Sequence, residues 1–235
     1  MSSKNKFSKI ISAINNYEAF HSYSQCGEDL IINFLFDNHL KVSKPDYLDI
    51  GAHHPILFSN TYFFYQKGCQ GVCVEADPIL CNEIKRKRKR DTSLNLGIGV
   101  DQKIANDFYI MSSKTLNTFS KKEAERYQSY NNQKIEKIIQ IPLVTINDVI
   151  EQNFKTFPNL ISLDVEGLDM EILKTFDFLK FRPQVFCIET LTYTEDKSEQ
   201  KIVDIIELMN GNGYINYADT YINTIFVDED VWRNR

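Results

Sequence analysis

Short apolar runs that end on an acidic residue recur along the chain, each followed by a polar turn. Tyr47-Leu48-Asp49-Ile50 is the first, broken by Gly51-Ala52-His53-His54-Pro55. Gly71 to Glu75, Leu160 to Asp164 and Val185 to Glu189 repeat the pattern. Continuous apolar runs of this length, bounded by turn residues, predict strands buried on both faces of a parallel sheet. Ser93 to Val100 is a further expected strand, and Phe108 to Met111 and Ile138 to Val144 are expected extended pieces.

Helical spacing fills the gaps. Leu30, Ile31, Phe34 and Leu35 predict a helix after the polar cluster Ser24 to Asp29, and Tyr62 to Tyr65 one that stops at Gly68. Asp77-Pro78 and Thr145-x-x-Asp148 carry cap signatures. Met170 to Phe176 and Gln200 to Asn210 are the last two helices. Tyr214 to Tyr217 and Thr224 to Val227 are close enough to pair as a hairpin. The alternation predicts an α/β fold: a doubly wound sheet, mostly parallel, with an antiparallel C-terminal edge and helices on both faces.

No repeat or Pro/Gly linker divides the 235 residues, so a single domain is expected over 1–235, with a helical lead-in at 1–40. Phe7, Ile10, Ile11 and Ile14 predict a short amphipathic helix near the start, not a signal peptide. The polar, glycine-free stretch 112–133 reads as a loop with a helical patch, a candidate lid carrying Tyr127 and Tyr130.

Composition narrows the class. At 43% hydrophobic and 25% charged the chain is globular, and its net charge of −5 argues against a general nucleic-acid binder. No apolar run approaches the roughly 20 residues of a membrane span. The five cysteines form no C-x-x-C pair, so reduced, mostly buried thiols in a cytoplasmic protein are expected. The basic run Lys85 to Arg90 reads as a solvated helix face, or as an attractor of a diphosphate-bearing substrate.

Asp49, Glu75, Asp164 and Glu189 stand where parallel strands open onto a ligand crevice, with Asp49 expected to point into it. Glu75 closes the second strand, where a carboxylate accepts hydrogen bonds from a ribose diol. A pyrophosphate needs several close backbone amides, and the single glycine at Gly51 does not supply them. A nucleoside cofactor without phosphates, S-adenosylmethionine, fits better than a nicotinamide dinucleotide.

The chain resembles the FkbM-type S-adenosylmethionine-dependent methyltransferases of the class I fold. The matching pieces are Ser24-Gln25-x-Gly27-Glu28-Asp29, Asp49-Ile50-Gly51-Ala52, Ser59-Asn60-Thr61, Glu75-Ala76-Asp77-Pro78, Asp164-Val165-Glu166-Gly167 and Arg182-Pro183. Pro55 departs from the family's second glycine. The resemblance implies that Asp49, Gly51 and Ala52 surround the methionine end of the cofactor and that Glu75 holds the ribose. Ala76 and Asp77 are then by the adenine, with Gln25, Ser59 and Asn60 supporting the pocket. It further implies methylation of a hydroxyl, often on a sugar, a nucleotide-activated sugar or a surface-glycan intermediate.

A sugar hydroxyl is a weak acid, so a general base or a metal is required. Asp164, Glu166, His53 and His54 are the candidate bases. Glu166 alternatively satisfies the amides of the following helix, and one histidine alternatively caps or packs its own loop. Asp164 and Glu189, with His54 as third ligand, are a candidate set for Mg or Mn. The competing functions are a nicotinamide-dependent oxidoreductase and a non-catalytic module that keeps the fold. A homodimer is compatible with the aromatic content.

Overall fold

The computed structural model describes residues 20–101, 103–129, 133–165, 167–191 and 200–235. The expected helix within 1–16, Tyr130 and Glu166 lie outside these residues. The chain enters through α1 (Glu28–Phe34), which widens into a π-helical turn over Leu35–Leu40. There follow β1 (Tyr47–Ile50), α2 (Tyr62–Gln66), β2 (Gly71–Val74), α3 (Pro78–Lys87), β3 (Thr92–Leu94) and β4 (Gly97–Ile98). Next come β5 (Ala105–Met111), a 3-10 turn (Lys114–Leu116), α4 (Lys121–Gln128), β6 (Ile135–Val144) and α5 (Ile146–Asn153). The chain closes with β7 (Leu160–Leu163), α6 (Asp169–Thr175), β8 (Val185–Glu189), α7 (Val203–Gly211), β9 (Tyr214–Asp219), β10 (Asn223–Asp228) and α8 (Glu229–Arg233).

Seven strands form the main sheet in the order β3-β2-β1-β7-β8-β10-β9. The first five are parallel, and β10 runs antiparallel between β8 and β9. The hairpin expected at the edge therefore inserts its second strand against β8 and leaves β9 outermost. This is a doubly wound α/β sheet, mostly parallel, with an antiparallel C-terminal edge.

Strand periodicity sorts the core into two layers. Leu48, Ile50, Ile161, Leu163, Phe186 and Ile188 face α5, α6 and α7. Tyr47, Leu160, Val185, Cys187, Ile225 and Val227 face α1 and α2. Fully burying each such side chain contributes about 1.5–3 kcal/mol. Asp49 alternates with Leu48 and Ile50, so its carboxyl belongs to the α1–α2 face.

The expected strand Ser93 to Val100 is broken. Asn95 donates from Nδ2 to the carbonyls of both Glu75 and Ala76 at 2.9 Å, tying the break to the end of β2. Beyond it, β4 joins a second sheet, β4-β6-β5, that stands over the C-terminal ends of β1 and β2. The stretch between β5 and β6 is more ordered than expected among its described residues. Tyr127, read as a lid residue, is 1% exposed and packs with Tyr109, Met111, Leu116 and Ala124 in a small core of its own. No helix among the described residues is long and apolar enough to cross a membrane. The cysteines are unpaired, and all except Cys26 are buried.

Candidate active site

A cleft of about 850 Å³, including its open mouth, lies where β1, β2, β4 and β7 end. Its floor is set by a backbone contact. Gly51 has φ +78°, and a Cβ built on it would lie 1.8 Å from the Asp164 carbonyl oxygen. Glycine is required on both counts. The amides of Gly51 and Ala52 donate to the Val74 carbonyl at 3.0 and 3.1 Å, holding the turn against β2.

Glu75 occupies the wall at the tip of β2 and is 6% exposed. Its Oε2 accepts from the His53 amide at 2.8 Å and its Oε1 from the Asp77 amide at 2.7 Å. Each oxygen keeps a lone pair for a ligand. Burial, opposed by those two amides, pushes its pKa up to about 7. Asp77 itself caps α3, its Oδ1 accepting from Ile79 N at 2.8 Å. Beyond Glu75 the cleft turns apolar, walled by Ala76, Leu80, Leu96, Ile98, Phe108 and Phe119.

The opposite wall carries Gln25, His53, Phe58 and Asp164. His53 sits at φ +47°, and its Nε2 is buried with no protein partner. Burial lowers its pKa, with His54 and Lys114 adding to the effect and Asp77 opposing it, so the ring is neutral near pH 7. Asp164 hydrogen-bonds Glu189; each follows the last paired residues of β7 and β8, Leu163 and Ile188. Burial raises the Asp164 pKa, and the nearby Asp49 charge adds to the rise. Behind it, burial and Asp164 raise the pKa of Asp169, whose Oδ1 accepts from Val165 N at 3.2 Å.

Several expected site residues stand behind the wall. Asp49 does not point into the cleft: its Oδ2 accepts from Thr61 Oγ1 and lies 3.7 Å from Arg88 Nη1. Arg88, read from sequence as part of a solvated basic face, is 0% exposed. Its Nε donates to Asp91 at 2.7 Å, and its Nη2 donates to Thr61 Oγ1 at 2.9 Å. A buried guanidinium needs counter-charge, and that demand takes Asp49 away from the cleft. Ser59 belongs to the same cluster, accepting from Arg88 Nη1 at 3.3 Å, and Asn60 donates to Ser162 Oγ at 3.2 Å. Ala52 packs with Cys73 and Ile84. The support expected of Ser59 and Asn60 is therefore exerted from beneath the strands.

The metal set is not assembled. His54 turns its Nδ1 onto its own loop, accepting from Ile56 N at 3.1 Å and Leu57 N at 2.9 Å. Asp164 and Glu189 bond each other, and among the described residues no three His, Cys, Asp or Glu side chains are grouped to hold a metal ion.

Sequence reasoning missed Arg88, Asp91, Asp169 and Asn117. A signal for Arg88 existed, because Leu80, Ile84 and Arg88 fall at i, i+4 and i+8, carrying the buried stripe of α3 on to its C-cap. Nothing local marked Asn117, whose partner Asp77 is 40 positions away.

The family model described as the methyltransferase FkbM domain matches residues 49–215, most of the chain, from within β1 to the start of β9. The chain belongs to the FkbM methyltransferase family. No curated protein matches it. Among solved structures this FkbM domain is similar to a TehB-like SAM-dependent methyltransferase from Corynebacterium glutamicum, at 10% identity and TM-score 0.43, over 96% of this chain and 97% of that one. It is also similar to an O-methyltransferase from Bacillus cereus in complex with SAH, at 11% identity and TM-score 0.39, over 97% and 91%. A third is 1,6-didemethyltoxoflavin-N1-methyltransferase from Burkholderia thailandensis, at 10% identity and TM-score 0.43, over 97% and 91%.

Proposed function

We propose that this FkbM domain is an S-adenosylmethionine-dependent O-methyltransferase acting on a sugar hydroxyl, of a nucleotide-activated sugar or a surface-glycan intermediate. The observation that carries the reading is Glu75: a buried carboxyl with free lone pairs, standing between an apolar pocket and the Asp164–Glu189 pair. A ribose diol fits that carboxyl, and an adenine ring fits the apolar end beyond it. The unpartnered His53 Nε2 marks a further polar position that a ligand completes.

S-adenosylmethionine, when bound, supplies an electrophilic methyl group. The chain aligns the acceptor and takes its proton. Asp164 is the base we assign, with Glu189 as the neighbouring carboxyl that shares the proton. Neutral His53 orients the reacting groups from the other side of Gly51. His54 is assigned a loop-capping role, since its Nδ1 accepts from two amides of its own loop. Ile50, Leu163 and Ile188 are paired across β1, β7 and β8, and Glu189 is paired with Asn223 of β10, so Gly51, Asp164 and Glu189 follow at one end of the sheet; this supports an acceptor position along the C-terminal edge of β7 and β8.

The test is transfer of a labelled methyl group from S-adenosylmethionine across a panel of nucleotide-sugars and glycosides. Label in at least one sugar, lost in Asp164→Asn, supports the reading. Binding of the cofactor with no sugar labelled, and label instead in amines or thiols, contradicts the acceptor class.

A further inference from the structure

The second sheet is fastened to the cleft at both ends. Over the apolar end, the Phe119 ring rests against β4 so closely that a Cβ on Gly97 would lie 2.3 Å from it. Phe108 packs against Phe119 with ring centroids 4.7 Å apart. At the other end, α4 brings Glu123 over the turn after β7, where a Cβ on Gly167 would lie 3.3 Å from Glu123 Cγ. The β5–β6 unit is thus a roof from the apolar pocket to the Asp164 turn.

The Asn117 side chain links this roof to the wall below by hydrogen bonds. Asn117 lines the cleft just past the 3-10 turn. Its Oδ1 accepts from Met111 N at 2.8 Å within the roof, and its Nδ2 donates to Asp77 Oδ2 at 3.2 Å in the wall. The Asp77 amide in turn donates to Glu75 Oε1, and Glu75 Oε2 accepts from the His53 amide. A continuous hydrogen-bonded path therefore runs from Met111 through Asn117, Asp77 and Glu75 to His53.

We propose that Asn117 is a positioning residue of the cofactor site, clasping the roof to Asp77 and so fixing the Glu75 carboxyl that receives the ribose. This rests on the methyltransferase reading above. The donor and acceptor roles in the clasp are separable. Asp77 caps α3 through Oδ1 and meets Asn117 through Oδ2, so Asp77→Asn keeps the cap and reverses the polarity offered to the roof. Asn117→Asp keeps an acceptor for Met111 N but sets two carboxyls against each other. The double variant Asp77→Asn/Asn117→Asp restores one donor facing one acceptor.

The test is calorimetric titration of the full chain and these three variants with S-adenosylhomocysteine, with hydrogen exchange of residues 105–116 read in parallel. Each single variant is expected to weaken binding about tenfold, and the double variant to return within about threefold of wild type. Exchange protection of the roof on ligand addition should be lost in the singles and regained in the double. A merely structural contribution of either side chain lowers Tm without this reciprocal rescue. Single variants that bind as tightly as wild type overturn the clasp, as does a folded double variant no better than the weaker single. Failure of the wild-type chain to bind S-adenosylhomocysteine overturns the cofactor reading itself, which the variants then inherit.

Discussion

Gly51 and Asp164 meet backbone to backbone. The Asp164 amide donates to the Ile50 carbonyl at 3.1 Å, and the Asp164 carbonyl fills the space in which a Gly51 Cβ would stand. The tips of β1 and β7 are thereby held together, carrying the proposed cofactor turn and the proposed base side by side. Gly51→Ala is expected to cost about 1–3 kcal/mol of stability and to weaken S-adenosylhomocysteine binding more than tenfold. Urea denaturation and calorimetry check both.

Arg88 anchors the underside of the site. Arg88→Ala leaves Asp49 and Asp91 as uncompensated buried carboxyls and should destabilise the chain by about 3–5 kcal/mol. Lysine should not rescue it, because one ammonium cannot serve Asp91, Thr61 and Ser59 at their separate directions. Alanine at Lys85, Arg86 or Lys89, all exposed, should stay within about 0.5 kcal/mol of wild type. The contrast is read in parallel urea melts.

The proposed role of Glu75 predicts a pH dependence of cofactor binding. In that role a ribose diol donates to the ionised carboxyl, and burial holds that carboxyl's pKa near 7 in the free protein. Protonation competes with the ligand, so affinity should fall by about tenfold as pH drops from 8 to 6. Glu75→Gln should bind weakly at every pH and abolish the slope. Titrations with S-adenosylhomocysteine at both pH values decide this.

The raised carboxyls also act on stability. Glu75, Asp164 and Asp169 bind protons more tightly folded than unfolded. Between their unfolded and folded pKa values the native state holds more protons, so stability falls as pH rises through that window. Tm of the ligand-free chain should be lower at pH 7.5 than at pH 5.5, and Glu75→Gln should reduce the difference.

The two histidines should separate. His53→Ala and Asp164→Asn are expected to lower turnover at least a hundredfold with cofactor affinity within about threefold. His54→Ala removes the acceptor for two loop amides and should lower Tm with a smaller loss of turnover. Steady-state kinetics on the labelled-methyl acceptor, with melting curves, distinguishes them.

Most of the fold was legible because buried parallel strands write continuous apolar runs, and the caps at Asp77 and Thr145 were read correctly from local chemistry. The split of Ser93 to Val100 was not, because Asn95 breaks the strand by bonding to β2, a contact no local pattern displays. At the site, Glu75, Gly51, His53 and Asp164 were legible as strand-end residues. Asp49 was misplaced because its direction is fixed by a counter-charge 39 positions away, at the C-cap of α3. For His54 the residue type suggested a base or ligand, and the local sequence did not show that its Nδ1 accepts from the neighbouring Ile56 and Leu57 amides.

The central claim is that Glu75 sits at a nucleoside site without a pyrophosphate cradle. The most direct measurement is calorimetric titration of the purified chain with S-adenosylmethionine and with NAD, repeated on Glu75→Ala. The account predicts saturable binding of S-adenosylmethionine, no binding of NAD, and loss of the S-adenosylmethionine signal in a variant that stays folded. Binding of NAD in preference, or S-adenosylmethionine affinity unchanged by Glu75→Ala, would contradict it.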